Sequence, residues 1–153
     1  MSNWKQLSID EAKAHPYYGV KGWLLLILIL WALGGLNALF VVVAYGELQN
    51  LYGGMAPVFA LTSVVFGLIG LAVAITGFTK SHLFPKYALI LLYVNLVVGL
   101  VMGVVQGVSL GGGIAMILGM VLGTTLGTAL MIWYFKKSKR VNVTYFHRER
   151  VGD

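Results

Sequence analysis

Residues 87–135 run for 49 positions without one charged side chain. As a single α-helix that run would be about 73 Å long, more than twice the ~30 Å hydrocarbon core of a bilayer. It has to turn back on itself, and Gly111-Gly112-Gly113 near its middle tolerates a tight reversal. Two more uncharged runs precede it, 22–46 and 48–79. Each is long enough for one crossing, the second once Gly53-Gly54 and Pro57 are set aside as a connection. The chain therefore reads as an all-α integral membrane protein, a four-transmembrane-helix bundle with spans at about 22–45, 57–79, 85–106 and 114–134. Residues 1–21 form an N-terminal segment with a short interfacial helix, opened by the capping box Ser8-Ile9-Asp10-Glu11, and 136–153 form a basic tail.

Charge agrees with that division. Only 10% of the residues are charged, against about 25% in an ordinary soluble domain. Thirteen of the sixteen charged side chains lie outside residues 22–135, leaving Glu47, Lys80 and Lys86 between. This excludes a soluble globular domain, a disordered chain and a fibrous repeat. All eleven basic residues fall before the first span, between the second and third, or after the fourth. The positive-inside rule then puts both termini in the cytoplasm. The net charge of +6 is a topology signal, and nucleic acid is not an expected partner. The first run exceeds the 7–15 apolar residues of a secretory signal and follows acidic residues, so it reads as uncleaved.

Helices in lipid approach closely over small residues. Gly99, Gly103 and Gly107 repeat at spacing four, as do Ala115, Gly119, Gly123 and Gly127. A hairpin centred on Gly111 sets Gly107 against Ala115, Gly103 against Gly119 and Gly99 against Gly123, a glycine zipper. The same register puts Asn95 level with Gly127, between Thr124 and Thr128. Asn37 and Thr62-Ser63 fall at similar depth in the first two spans, where they can bond across the helices.

Candidates for chemistry are few. No ionisable group lies within the predicted core, and Glu47 stands just past the end of the first span. His15, His82 and His147 come from separate segments without ligand spacing, and with no cysteine there is no thiolate site or disulfide. The chain holds no G-x-S-x-G elbow, no paired carboxylates in one segment beyond Asp10-Glu11 of the capping box, and no phosphate-cradling glycine loop. No metal and no cofactor is expected, and the expected class is non-enzymatic.

Three stretches carry a resemblance. Gly19-Val20-Lys21-Gly22-Trp23-Leu24-Leu25 opens the first span, Phe84-Pro85-Lys86 opens the third, and 134–146, from Tyr134-Phe135-Lys136-Lys137 through Arg140-Val141 to Thr144-Tyr145-Phe146, follows the fourth. Together they resemble a small bacterial inner-membrane family catalogued as domain of unknown function 2569, with departures at Lys21 and at Tyr145. The resemblance implies four transmembrane helices in a bacterial plasma membrane and transfers no activity.

The tail supplies one candidate site. Arg140, flanked by Ser138 and Thr144 and by Lys137 and Lys139, offers guanidinium, hydroxyl and ammonium donors suited to an acidic lipid headgroup or an acidic partner loop. The plainer reading is a tail folded back on the inner helix ends, Arg140 donating to backbone carbonyls. The expected partners are the lipid bilayer, anionic lipids at the cytoplasmic face, and a membrane protein or a second copy of the chain. The expected role is an accessory or scaffold component of a membrane assembly. A small oligomeric transporter or channel, or a lipid-binding or lipid-modifying protein, is the alternative.

Overall fold

The structure, a computed structural model, describes residues 4–150. Four helices are long and apolar enough to cross a membrane. They are α2 (Trp23–Val43), α4 (Ala56–Phe78), α5 (Phe84–Ser109) and α6 (Ile114–Lys137). At 21 residues α2 is about 31 Å long, one hydrocarbon thickness. Pro57 and Pro85 sit in the first turns of α4 and α5, where an amide has no intrahelical partner to lose. The first connection is itself helical: α3 (Tyr45–Tyr52) and a 3₁₀ turn (Gly53–Met55) lead into α4. The third reversal is tight, with Gly111 at φ +64 between α5 and α6.

The bundle is two hairpins, α2 on α4 and α5 on α6, with a smaller contact between α4 and α5. What joins the hairpins is a core at the end that carries the termini. Leu24, Leu28, Phe84, Ala88 and Phe135 are buried there with Val141 and Tyr145 of the tail. Phe84 is its centre, edge-on to Phe135 at 5.6 Å and 4.7 Å from the Tyr145 ring, while Trp31 stacks on Phe135. Rings of this size bury the most apolar area per side chain, so the two hairpins are held chiefly at this end.

Two pieces cap that core. Ser8 opens α1 (Ile9–Ala14), its hydroxyl accepting from the Glu11 amide while the Glu11 carboxylate accepts from the Ser8 amide. Those bonds hold the Glu11 carboxyl below its usual range. After α6, the tail forms α7 (Lys139–Phe146), with Ser138 as its cap. Val141, Val143 and Tyr145 alternate with polar residues, a pattern that by itself fits an extended surface segment as well as a helix. Instead Val141 through Tyr145 are all buried, on every side of a short helix. Period two carries no information where a helix is surrounded by neighbours. Strand β1 (Trp4–Gln6) then pairs antiparallel with β2 (Arg148–Arg150), Lys5 opposite Glu149, and fastens the two ends of the chain together.

Candidate functional site

Three regions hold the polar and small residues that bear on function: the cap, the lipid-facing side of α6, and a crevice between the hairpins.

In the cap, Arg140, Thr144 and Ser138, three of the five tail residues singled out for an anion, have partners in the protein. The Arg140 guanidinium donates through Nη1 to the carbonyls of Tyr17 at 3.5 Å and Gly19 at 3.4 Å, and lies over the Tyr17 ring. The Thr144 hydroxyl accepts from the Gly19 amide at 3.0 Å. Ser138 Oγ accepts from the Val141 amide. The structure thus uses Arg140 and Thr144 to lash residues 17–19 against α7, and Ser138 to cap that helix. Lys137 and Lys139 are exposed beside this lashing, and Lys80 sits 4.9 Å from the Tyr18 ring. Deeper in, the Tyr145 hydroxyl donates to the Gly77 carbonyl at 2.8 Å, tying α7 to the end of α4. Burial pushes that phenol well above its ordinary range, with Tyr134 adding in the same direction. Arg148 donates to Asn142 Oδ1 at 2.8 Å and lies between the rings of Trp4 and Phe146.

The α5–α6 hairpin corrects the expected zipper. A Cβ on Gly99 would meet Thr124, one on Gly103 would meet Met120, and one on Gly107 would meet Ile117 at 2.5 Å. Gly119, Gly123 and Gly127 have nothing within 4 Å of a Cβ position. The α5 glycines do form a contact face, but the α6 glycines point away from it. The cause is the turn: α5 ends at Ser109 and α6 starts at Ile114, so the reversal is centred past Gly111. One residue of shift rotates a helix face by about 100°. The closest glycine approach lies elsewhere. In the α2–α4 hairpin a Cβ on Gly35 would stand 2.7 Å from the Gly67 carbonyl oxygen, and one on Gly67 would strike Ala38.

Away from the cap the hairpins separate. A crevice of about 370 Å³ lies between them, lined by Asn37 of α2, Ser63 of α4 and Asn95 of α5, with Trp31, Phe66 and Leu92 among its apolar walls. The expected bonds across helices are not there. Thr62 donates to the Val58 carbonyl of its own helix, and Asn37, Ser63 and Asn95 meet no side-chain partner among the described residues. Asn95 faces this crevice and bonds neither Thr124 nor Thr128. A second crevice of about 210 Å³ shares Ser63, Phe66 and Asn95 with the first and extends to Thr62 and Gln106, toward the end opposite the termini.

The sequence pattern of the family described as protein of unknown function (DUF2569) matches residues 17–146. The chain belongs to that family. No curated protein and no solved structure matches it. The DUF2569 match begins at Tyr17, whose carbonyl Arg140 holds, and ends at Phe146, the last residue of α7. It therefore covers the four spans, the strap and the buried tail helix, and omits α1 and the β1–β2 clasp. Tyr145, inside the matched residues, is the side chain whose hydroxyl joins α7 to α4. Gly35 and Gly67 were missed by sequence reasoning, although a hairpin centred in the first connection sets them opposite each other. The crevice had a signal too, in that Asn37 and Asn95 are the two asparagines within the spans.

Proposed function

We propose that this DUF2569 protein is a non-enzymatic accessory or scaffold component of an assembly in a bacterial inner membrane, docked on its partner through α6. The observation that carries this reading is the open face of α6. Only 6% of its most apolar stretch is buried, against 17–22% in the other three spans, and that face presents Gly119, Gly123 and Gly127. Small residues let a second backbone approach closely, which is what favours helix association in lipid. The lack of ionisable side chains in 22–46, 48–79 and 87–135 supports a role in contacts over one in transport. The basic end is read as cytoplasmic by its lysines and arginines, with Lys137, Lys139 and Arg140 in a collar that attracts anionic headgroups. The test compares wild type, Gly123→Ile and a control enlargement on α2, Leu36→Phe, by native gel after extraction in mild detergent. Loss of a higher-mass species in Gly123→Ile alone is expected. Its persistence in that variant refutes docking through α6, and the mass separates a second copy from another protein.

A further inference from the structure

The crevice between the hairpins has a composition that its surroundings do not explain. Asn37 and Asn95, exposed, and Ser63, half-buried, line it from three helices without a side-chain partner among the described residues, and in hydrocarbon an unpaired carboxamide is costly. Helix geometry gives the depth: Asn37 is about 9 Å from the end of α2 at Val43, and Ser63 about 10 Å from the start of α4 at Ala56. A group from outside the chain that hydrogen-bonds there would relieve that cost.

Size and chemistry narrow the occupant. About a dozen waters filling 370 Å³ would find only three amide or hydroxyl side chains on these walls and would bond mostly one another. A helix about 10 Å across fills roughly 80 Å³ per Å of length, so the space holds less than one turn. That excludes a helix of a second copy. No ionisable side chain lines the walls, so a charged group there would lack a counter-charge. The walls are otherwise apolar, and Phe66 and Leu91 are shared with an adjoining apolar groove of about 380 Å³ between α4 and α5, which reaches Thr76 and Tyr87 at the basic end. Polarity therefore falls along one axis, from Gln106 and Thr62 through Asn95, Ser63 and Asn37 to the apolar groove. An amphiphile in the leaflet opposite the basic end has that same orientation.

We propose that the crevice binds a neutral amphiphile bearing hydroxyl or carbonyl groups, entering from the leaflet at the end opposite the termini. The polar part lies against Asn37, Ser63 and Asn95, whose carboxamides both donate and accept, and the apolar part lies along Phe66 and Leu91. Two sources share that chemistry, a glycerolipid without a charged headgroup and a lipid-soluble quinone.

The experiment uses the full chain in nanodiscs of neutral phosphatidylcholine, loaded with either 1,2-dioleoylglycerol or decylubiquinone and read by native mass spectrometry. Wild type is expected to retain one equivalent of at least one probe. Asn37→Leu and Asn95→Leu should each lower retention about fivefold, the loss of one ordinary hydrogen bond. Asn50→Leu, on α3 and outside the crevice, should leave it unchanged. Ser63→Ala, the mildest change, gives a second reading if a leucine variant fails to fold. Retention of dioleoylglycerol alone assigns a lipid, and of decylubiquinone alone a quinone. Either, with asparagine dependence, supports the site. Retention of neither probe, or equal retention in wild type and folded crevice variants, overturns it. So does a dimer that Asn37→Leu abolishes without any probe bound.

Discussion

Two adjacent glycines in α2 give a sharp check on the packing. Gly34 and Gly35 share one helix, one depth and one intrinsic preference, so alanine at either should gain about 0.5–1 kcal/mol of helix propensity. Their surroundings differ. A Cβ on Gly34 meets nothing within 4 Å, whereas one on Gly35 stands 2.7 Å from the Gly67 carbonyl oxygen and 2.9 Å from Leu71 Cβ. A carbon normally approaches a carbonyl oxygen no closer than about 3.3 Å, so α4 would have to retreat by roughly 0.6 Å. The obstacle is backbone, which no rotamer change can move. Overpacking of this kind costs about 1–3 kcal/mol. Gly35→Ala is therefore expected to be destabilising by about 1–2 kcal/mol net, and Gly34→Ala stabilising by about 0.5–1. At about 2–4 °C per kcal/mol for a chain of this size, the two melting midpoints should differ by several degrees, measured by circular dichroism in one detergent. Equal midpoints, or a lower one for Gly34→Ala, would refute the close approach of α2 and α4.

Other expectations follow from the cap and the second hairpin. Tyr145→Phe should cost about 1 kcal/mol of thermal stability, since the Gly77 carbonyl keeps the Lys80 amide as a donor when the phenol is lost. Burial holds the Tyr145 phenol above its unfolded value, so its contribution is complete below about pH 10 and is lost as pH rises through the folded value. Phenolate absorbance should show one tyrosine ionising last, and Tyr145→Phe should remove that step. Arg148→Ala leaves the buried Asn142 Oδ1 without its donor and Trp4 and Phe146 without the cation between them, at a cost of about 1.5–3 kcal/mol. Limited proteolysis should then cut before α1, where wild type resists. Gly107→Ala should destabilise the second hairpin through Ile117, while Gly119→Ala, as open as Gly34, should stabilise the isolated chain by about 0.5–1 kcal/mol.

The membrane class and the number of spans were legible because they follow from length and charge alone. A run of 49 uncharged residues cannot be one helix in a bilayer, and no tertiary contact alters that arithmetic. The Ser8 cap is of the same kind: its two bonds reach only three residues along the chain, so the local sequence contains both partners. The family was legible from motifs around the cap, because Arg140 and Thr144 are tied to the short strap 17–19, and both lie in those motifs or beside them.

What the tertiary structure decided was azimuth, the direction each helix face points. The glycine spacing in α6 is real, yet where its reversal is centred turned Gly119, Gly123 and Gly127 outward and set Thr124, Met120 and Ile117 against α5. A one-residue difference in the turn is invisible to periodicity and worth about 100° of rotation. The tail shows the same limit from the other side: its alternation is true of the sequence, but α7 is covered on all faces, so Asn142 and Thr144 are as buried as Val141. The crevice is the furthest from the sequence. Asn37, Ser63 and Asn95 come from three helices, and whether they pair with one another or face a common space depends on how far the hairpins splay. The hairpins are joined where Phe84, Phe135 and Trp31 pack, and Trp31 also walls the crevice.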